Sequence, residues 1–153
     1  FCERRCENLP LSPQVRTPLP TSKGKQNVYL AAPLFTMSER WLINELRNAL
    51  FSFGNEVFSP YHDVGLWGSD DTVDGQEHIA KADLEGLDNC DVVLAVLTGL
   101  DAGTMFEVGY AIAKRKKVVV LAENVNPVDL TMVTGSGCIV VEDLSTAVYT
   151  ASW

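Results

Sequence analysis

Basic residues are scarce in this chain. Of 153 residues, 12 are lysine or arginine and 20 are aspartate or glutamate, a formal net charge of −8. A nucleic-acid partner needs a basic stripe to neutralise its phosphates, and none is present, so that class of partner is excluded. The one basic run, Lys114–Lys117, ends a helical pattern and complements the helix dipole there. Long apolar runs are missing too: no stretch reaches the ~20 residues a bilayer crossing needs. Histidine is limited to His62 and His78, and cysteine to four residues. Cys2 and Cys6 fit neither CxxC nor a zinc spacing, while Cys90 and Cys138 lie beside strand-like runs and read as small core residues. No metal site is expected, and a cytoplasmic setting is favoured. GxGxxG, P-loop and GxSxG motifs are all absent, so no cofactor is expected either.

What the chain does have is a hydrophobic content of 46%, enough for one globular domain with a sizeable core. Residues 1–26 differ in kind. Pro10, Pro13, Pro18 and Pro20 break any regular element, which predicts a linker or the tail of a fused upstream domain, with the folded unit spanning 27–153.

Within that unit strands and helices alternate. Asn27–Ala31 reads as a strand, followed by a loop holding Pro33. Thr36 and Glu39 fit a capping box. The helix they open carries Trp41, Leu42, Leu46, Ala49 and Leu50 on one face. Glu56–Phe58 is a short strand. Ser59–Val73 reads as a long irregular loop, with Tyr61, His62, Asp63 and Trp67, and loops of this length are commonly functional or mobile. A helix over about 74–88 follows, its stripe made of Ile79, Ala80, Leu84 and Leu87. Asp83 borders that stripe, and a carboxylate there needs a reason.

The centre of the chain is Asp91–Leu121. Val92–Leu97 and Val118–Leu121 flank a helix predicted over about 104–114, a βαβ unit that implies parallel strands. A turn and short helix over 124–133, a strand at Cys138–Val141 and a helix over 143–150 complete the pattern. The alternation predicts a three-layer, doubly wound α/β domain, flavodoxin- or Rossmann-like, with about five parallel strands.

Ligands of such folds gather where loops leave the carboxyl ends of the strands. Three carboxylates fall near that edge: Asp83, Asp101 and Glu107. Glu107 is expected early in its helix, where the dipole would help keep it ionised. Gly103 allows close backbone approach to a ligand, and Gly109 tight packing. Each residue also has a plainer reading: Asp101 as a turn or cap residue, Glu107 as a dipole partner, Asp83 as a helix-edge carboxylate, Tyr29 as core, His62 and Asp63 as solvated loop.

Three separated motifs tilt that balance. Val28-Tyr29-Leu30-Ala31-Ala32-Pro33, then Ala82-Asp83-Leu84 with Cys90-Asp91-Val92-Val93, then Asp101-Ala-Gly103-Thr104-Met-Phe-Glu107-Val-Gly109-Tyr-Ala111, resemble in order the nucleoside 2-deoxyribosyltransferase family. The resemblance spans about 27–141. It implies a retaining, two-step reaction on a nucleoside or nucleotide, in which Glu107 attacks the anomeric carbon and a glycosyl-enzyme forms. It implies that Asp83 and Asp101 handle the base, and that Tyr29 positions the nucleophile. Pro33, Phe35, His62, Asp63 and Gly103 are the further candidates for lining the substrate site. The family's sites are completed by a neighbouring subunit, so a homo-oligomer is implied, with Asp129 at the place of a sugar-contacting asparagine. Leu34-Phe35-Thr36-Met37 stands where related nucleotide N-glycosidases carry an Arg-Gly-Gly phosphate loop, which speaks against a 5′-phosphate, although Thr36, Ser38 and Arg40 could still bind one at a helix N-terminus. Two alternatives stay open: a nucleoside 5′-monophosphate N-glycosidase, and a non-catalytic nucleotide-sensing module.

Overall fold

The computed structural model describes residues 25–65, 73–123 and 125–153. Cys2, Cys6 and Trp67 lie outside the described residues. Five strands form one all-parallel sheet: β1 (Asn27–Ala31), β2 (Glu56–Phe58), β3 (Val92–Leu97), β4 (Lys117–Ala122) and β5 (Ile139–Val141), in the order β2-β1-β3-β4-β5. The predicted doubly wound fold is the one observed.

Alternation along the strands divides the core in two. Val28, Leu30, Leu94 and Val96 point to the face covered by α1 (Met37–Ser52) and α6 (Leu144–Ser152). Tyr29, Ala31, Val93 and Ala95 point to the face covered by α3 (Val73–Asn89), α4 (Ala102–Ala113) and α5 (Thr131–Gly135). The six side chains of β3 are all buried, as a central parallel strand requires.

The chain leaves β1 for β2 on one side and returns to β3 on the other. The carboxyl ends of β1 and β3 therefore flank the point where strand order reverses, the usual ligand crevice of this architecture.

Several local expectations need correction. The segment after β2 is not wholly irregular: Pro60–Asp63 is a short helix, α2, with proline in its first turn, where a missing N–H costs nothing. Trp41 is exposed, and Ile43 takes its place on the buried face of α1 with Leu46 and Leu50. Helix α4 starts at Ala102 rather than 104, because the Asp101 carboxylate accepts the Thr104 N–H at 2.8 Å and caps it. Gly109, expected to pack tightly against the sheet or a neighbour, is exposed with open space around it, so it makes no close contact with the sheet. The basic run does more than complement a dipole: Lys116 Nζ donates to the carbonyls of Asp88 and Cys90 at the end of α3.

Candidate active site

Glu107 projects from the second turn of α4 toward the middle of β1. There Tyr29, completely buried in β1, donates its hydroxyl to Glu107 Oε1 at 2.6 Å. Tyr29 sits opposite Phe58 in the β1–β2 register, and the two rings stack at 5.4 Å between centroids. Burial, then the adjacent Glu107 carboxylate, pushes the Tyr29 hydroxyl far above its ordinary value. It is a fixed donor at any ordinary pH.

The expectation that the dipole of α4 keeps Glu107 ionised does not hold. Glu107 is the sixth residue of α4, beyond the first turn to which the dipole effect is confined. Burial instead raises its carboxyl from 4.5 to about 7; the Tyr29 hydrogen bond opposes this, and the nearby charges of Asp83 and Asp101 add to it.

Asp83 stands on α3, facing the same cleft. Burial raises it from 3.8 to about 6, and its Oδ1 is buried without a hydrogen-bond partner within the protein. An orphaned carboxyl oxygen facing a cleft is what a ligand donor or acceptor would complete. The cleft between α3 and α4 has a volume of about 390 Å³, and its lining includes Asp83, Glu107, Gly103, Gln76, Leu84 and Phe106. That volume lies in the range of small-molecule sites. Its walls are mainly apolar, with Gln76 and the two carboxyl groups as the polar exceptions.

Not every sequence-predicted residue reaches this cleft. Asp101 is committed to its capping role, with Oδ2 accepting from both the N–H and the hydroxyl of Thr104 at 2.8 and 2.9 Å. Its charge still acts on Glu107. Pro33 is buried just beyond β1, whereas Phe35 is 77% exposed. His62 is held on the α1 side, its ring nitrogens 3.1 Å from Ser59 Oγ and 2.7 Å from Asn44 Oδ1. Asp63 accepts the Ser59 N–H, pairs with Arg47 at 3.7 Å and lines a separate cavity of about 640 Å³ beside β2 and α3. His62 and Asp63 therefore have partners away from the Glu107 cleft. Asp129 is exposed in the turn before α5.

Sequence reasoning missed Phe58 and Gly86. The signal for Gly86 was present: a glycine inside a helical pattern costs about 1 kcal/mol relative to alanine and so asks for a cause. Among the described residues, no group of three or more histidine, cysteine, aspartate or glutamate side chains is arranged to hold a metal ion. No described helix is long and apolar enough to cross a membrane.

The family profile described as nucleoside 2-deoxyribosyltransferase matches residues 28–146. No curated protein matches significantly. Among solved structures, the chain is similar to a 2-deoxyribosyltransferase from Bacillus psychrosaccharolyticus, at 24% identity and a TM-score of 0.67, over 78% of this chain and 88% of that one. It is also similar to a CMP N-glycosidase from Clostridium botulinum, at 22% identity and a TM-score of 0.58, over 82% of this chain and 97% of that one. A conserved protein from Enterococcus faecalis shares the fold at 22% identity and a TM-score of 0.53, over 84% and 89%.

Proposed function

The chain belongs to the nucleoside 2-deoxyribosyltransferase family, and on that premise we propose that it breaks the N-glycosidic bond of a deoxynucleoside through a covalent glycosyl-Glu107 intermediate. The observation that carries the reading is the pair of raised carboxyls, Asp83 and Glu107, facing one cleft, with Tyr29 bonded to only one of them.

The pair divides the labour. The Tyr29 hydroxyl donates to Glu107 and so favours its ionised, nucleophilic form. Asp83 has no such donor. Burial raises Glu107 to about 7 and Asp83 to about 6, so without substrate the pair's proton rests mainly on Glu107, and the reading requires the bound base to draw it to the unpartnered Asp83 carboxyl. Glu107 attacks C1′ of the sugar. The C1′–N bond breaks, its electron pair leaves with the base nitrogen, and that nitrogen takes the proton from Asp83. In the second half an acceptor base or water attacks C1′, gives its proton to the Asp83 carboxylate and releases Glu107. The mainly apolar walls of the cleft suit the face of a planar base, and whether water or an acceptor base takes the sugar is read from the products.

A nucleoside fits better than its 5′-monophosphate. At the β1–β3 crevice the amino end of α1 is occupied by its own capping box: Glu39 accepts the Thr36 N–H at 2.7 Å, and Thr36 accepts the Glu39 N–H. The other Glu39 oxygen lies 3.4 Å from the Thr98 hydroxyl, beyond the end of β3. A carboxylate already stands where a phosphate would seek helix N–H groups. The family's subunit sharing suggests a homo-oligomer here, with Asp129 reaching a neighbour's sugar.

The test is incubation with deoxynucleosides, with and without an acceptor base, following free and exchanged base by chromatography. Base release by the wild type that is lost in Glu107→Ala supports the reading. No release from any nucleoside or nucleotide, or full activity in Glu107→Ala, overturns it; ligand binding without turnover would favour a sensing module.

A further inference from the structure

Gly86 lies on α3, one turn beyond Asp83. A Cβ built at this position would come within 2.7 Å of Phe58 Cδ1 and Cε1 and 3.0 Å of Cζ. Real side chains do not make contacts that short, so alanine would displace either the helix or the ring. The Phe58 ring touches Gly86 and also stacks on Tyr29, at 5.4 Å between centroids and 21° between planes. Tyr29 in turn holds Glu107 at 2.6 Å. The glycine is thus one end of a contiguous series of contacts, Gly86–Phe58–Tyr29–Glu107, whose other end is the nucleophile. Its own helix carries the second carboxyl.

We propose that Gly86 is a positioning residue, whose missing side chain lets α3 seat on the Phe58 ring and so fixes Asp83 and Glu107 relative to one another. The inference rests on the proposed roles of those two carboxyls, and it adds the device that holds them in register. Gly54, Gly65, Gly99, Gly103, Gly109, Gly135 and Gly137 show no contact this close. The displaced ring has somewhere to go, because Phe58 and Gly86 both line the 640 Å³ cavity beside β2. In Gly86→Ala the ring therefore swings toward that cavity, and Tyr29 loses the surface that holds its hydroxyl on Glu107.

Three groups act on Glu107 from the elements around it: Tyr29 from β1, Asp83 from α3 and Asp101 at the start of α4. Only the Tyr29 contact lowers its titration point, so weakening that contact raises it.

The experiment is a carboxyl-carbon NMR titration of Glu107 in the intact protein, read beside the pH profile of kcat/KM, for the wild type, Gly86→Ala, Phe58→Leu and the double variant Gly86→Ala/Phe58→Leu. The expected result is a rise of about half a pH unit or more in Gly86→Ala and a fall in kcat/KM of about tenfold or more. Phe58→Leu also loses the stack on Tyr29, so the double variant should match Phe58→Leu alone: once leucine makes room, the added methyl group has no further effect. A Gly86→Ala protein that does not fold while the double variant does supports the same steric antagonism. An unchanged Glu107 titration in Gly86→Ala overturns the proposal, as does an effect of Gly86→Ala that is as large in the Phe58→Leu background as in the wild type. Because the titration needs no turnover, a wild type that releases no base would overturn the proposed function and leave the positioning result readable.

Discussion

The Tyr29 hydroxyl and Glu107 Oε1 lie 2.6 Å apart, and the tyrosine supplying the proton is completely buried. A donor so enclosed cannot exchange its partner for water, so it biases Glu107 continuously toward the ionised form. Tyr29→Phe removes the donor and leaves the ring. A hydrogen bond to a charged group contributes about 1.5–3 kcal/mol, so kcat/KM should fall roughly tenfold to a hundredfold. Losing the donor raises the Glu107 pKa, so the acid limb of the pH profile should move upward and the deficit should be greater at pH 6 than at pH 8. Steady-state rates across that range check both.

Asp83 is assigned the leaving-group proton. Asp83→Asn keeps the shape and removes the acid, which should cost roughly 10²–10⁴ in kcat for a natural nucleoside. A synthetic nucleoside whose leaving group departs without protonation should recover most of that loss. Comparing the two substrates in both proteins separates acid catalysis from a binding defect: equal losses on both would mean that Asp83 positions the base and does not protonate it.

Burial of the two carboxyls also has a cost for stability that depends on pH. Glu107 is raised from 4.5 to about 7, and Asp83 from 3.8 to about 6. A carboxyl whose folded value is raised favours the fold while it stays protonated, at and below its unfolded value. That advantage is lost as pH climbs through the folded value. Glu107→Gln should therefore match the wild type below about pH 4 and exceed it above about pH 7, by up to about 3 kcal/mol. Thermal or urea unfolding of both proteins across pH 4 to 8 measures the difference. No gain for the glutamine variant at pH 8 would mean that the folded carboxyl is not raised.

Most of the fold could be read in the chain because its strands are short apolar runs between turn residues, and its helices show one buried stripe each. Val92–Leu97 is apolar throughout and lies at the centre of a parallel sheet. Where reading failed, tertiary contacts decided. The pattern placed Trp41 on the buried stripe of α1, but the sheet takes Ile43 instead. Of the candidate site, Tyr29, Asp83 and Glu107 were legible as neighbours, whereas Asp101, expected beside them, caps α4. Their different environments were not legible, since burial of Asp83 and Glu107 and the capping of α4 by Asp101 depend on how α3 and α4 lie across β1. His62 was readable only as a loop histidine, and nothing local announced that Ser59 and Asn44 would hold it.

The residue that best separates structure from chemistry is Asp101. Its Oδ2 caps α4 through the Thr104 N–H and hydroxyl, and its charge raises the Glu107 carboxyl. Asparagine is as good an N-cap as aspartate, so Asp101→Asn should keep the melting temperature, whereas Asp101→Ala should lose about 1 kcal/mol of stability. Both remove the negative charge near Glu107, so in both the acid limb of kcat/KM should move to lower pH, opposite to the shift expected of Tyr29→Phe. If Asp101 also touches the base, as the family resemblance implies, the asparagine variant should in addition raise KM at every pH. A stable asparagine variant with a lowered acid limb and an unchanged KM would confine Asp101 to capping and charge. A raised KM would bring it into the substrate site, through the Oδ1 atom that capping leaves available.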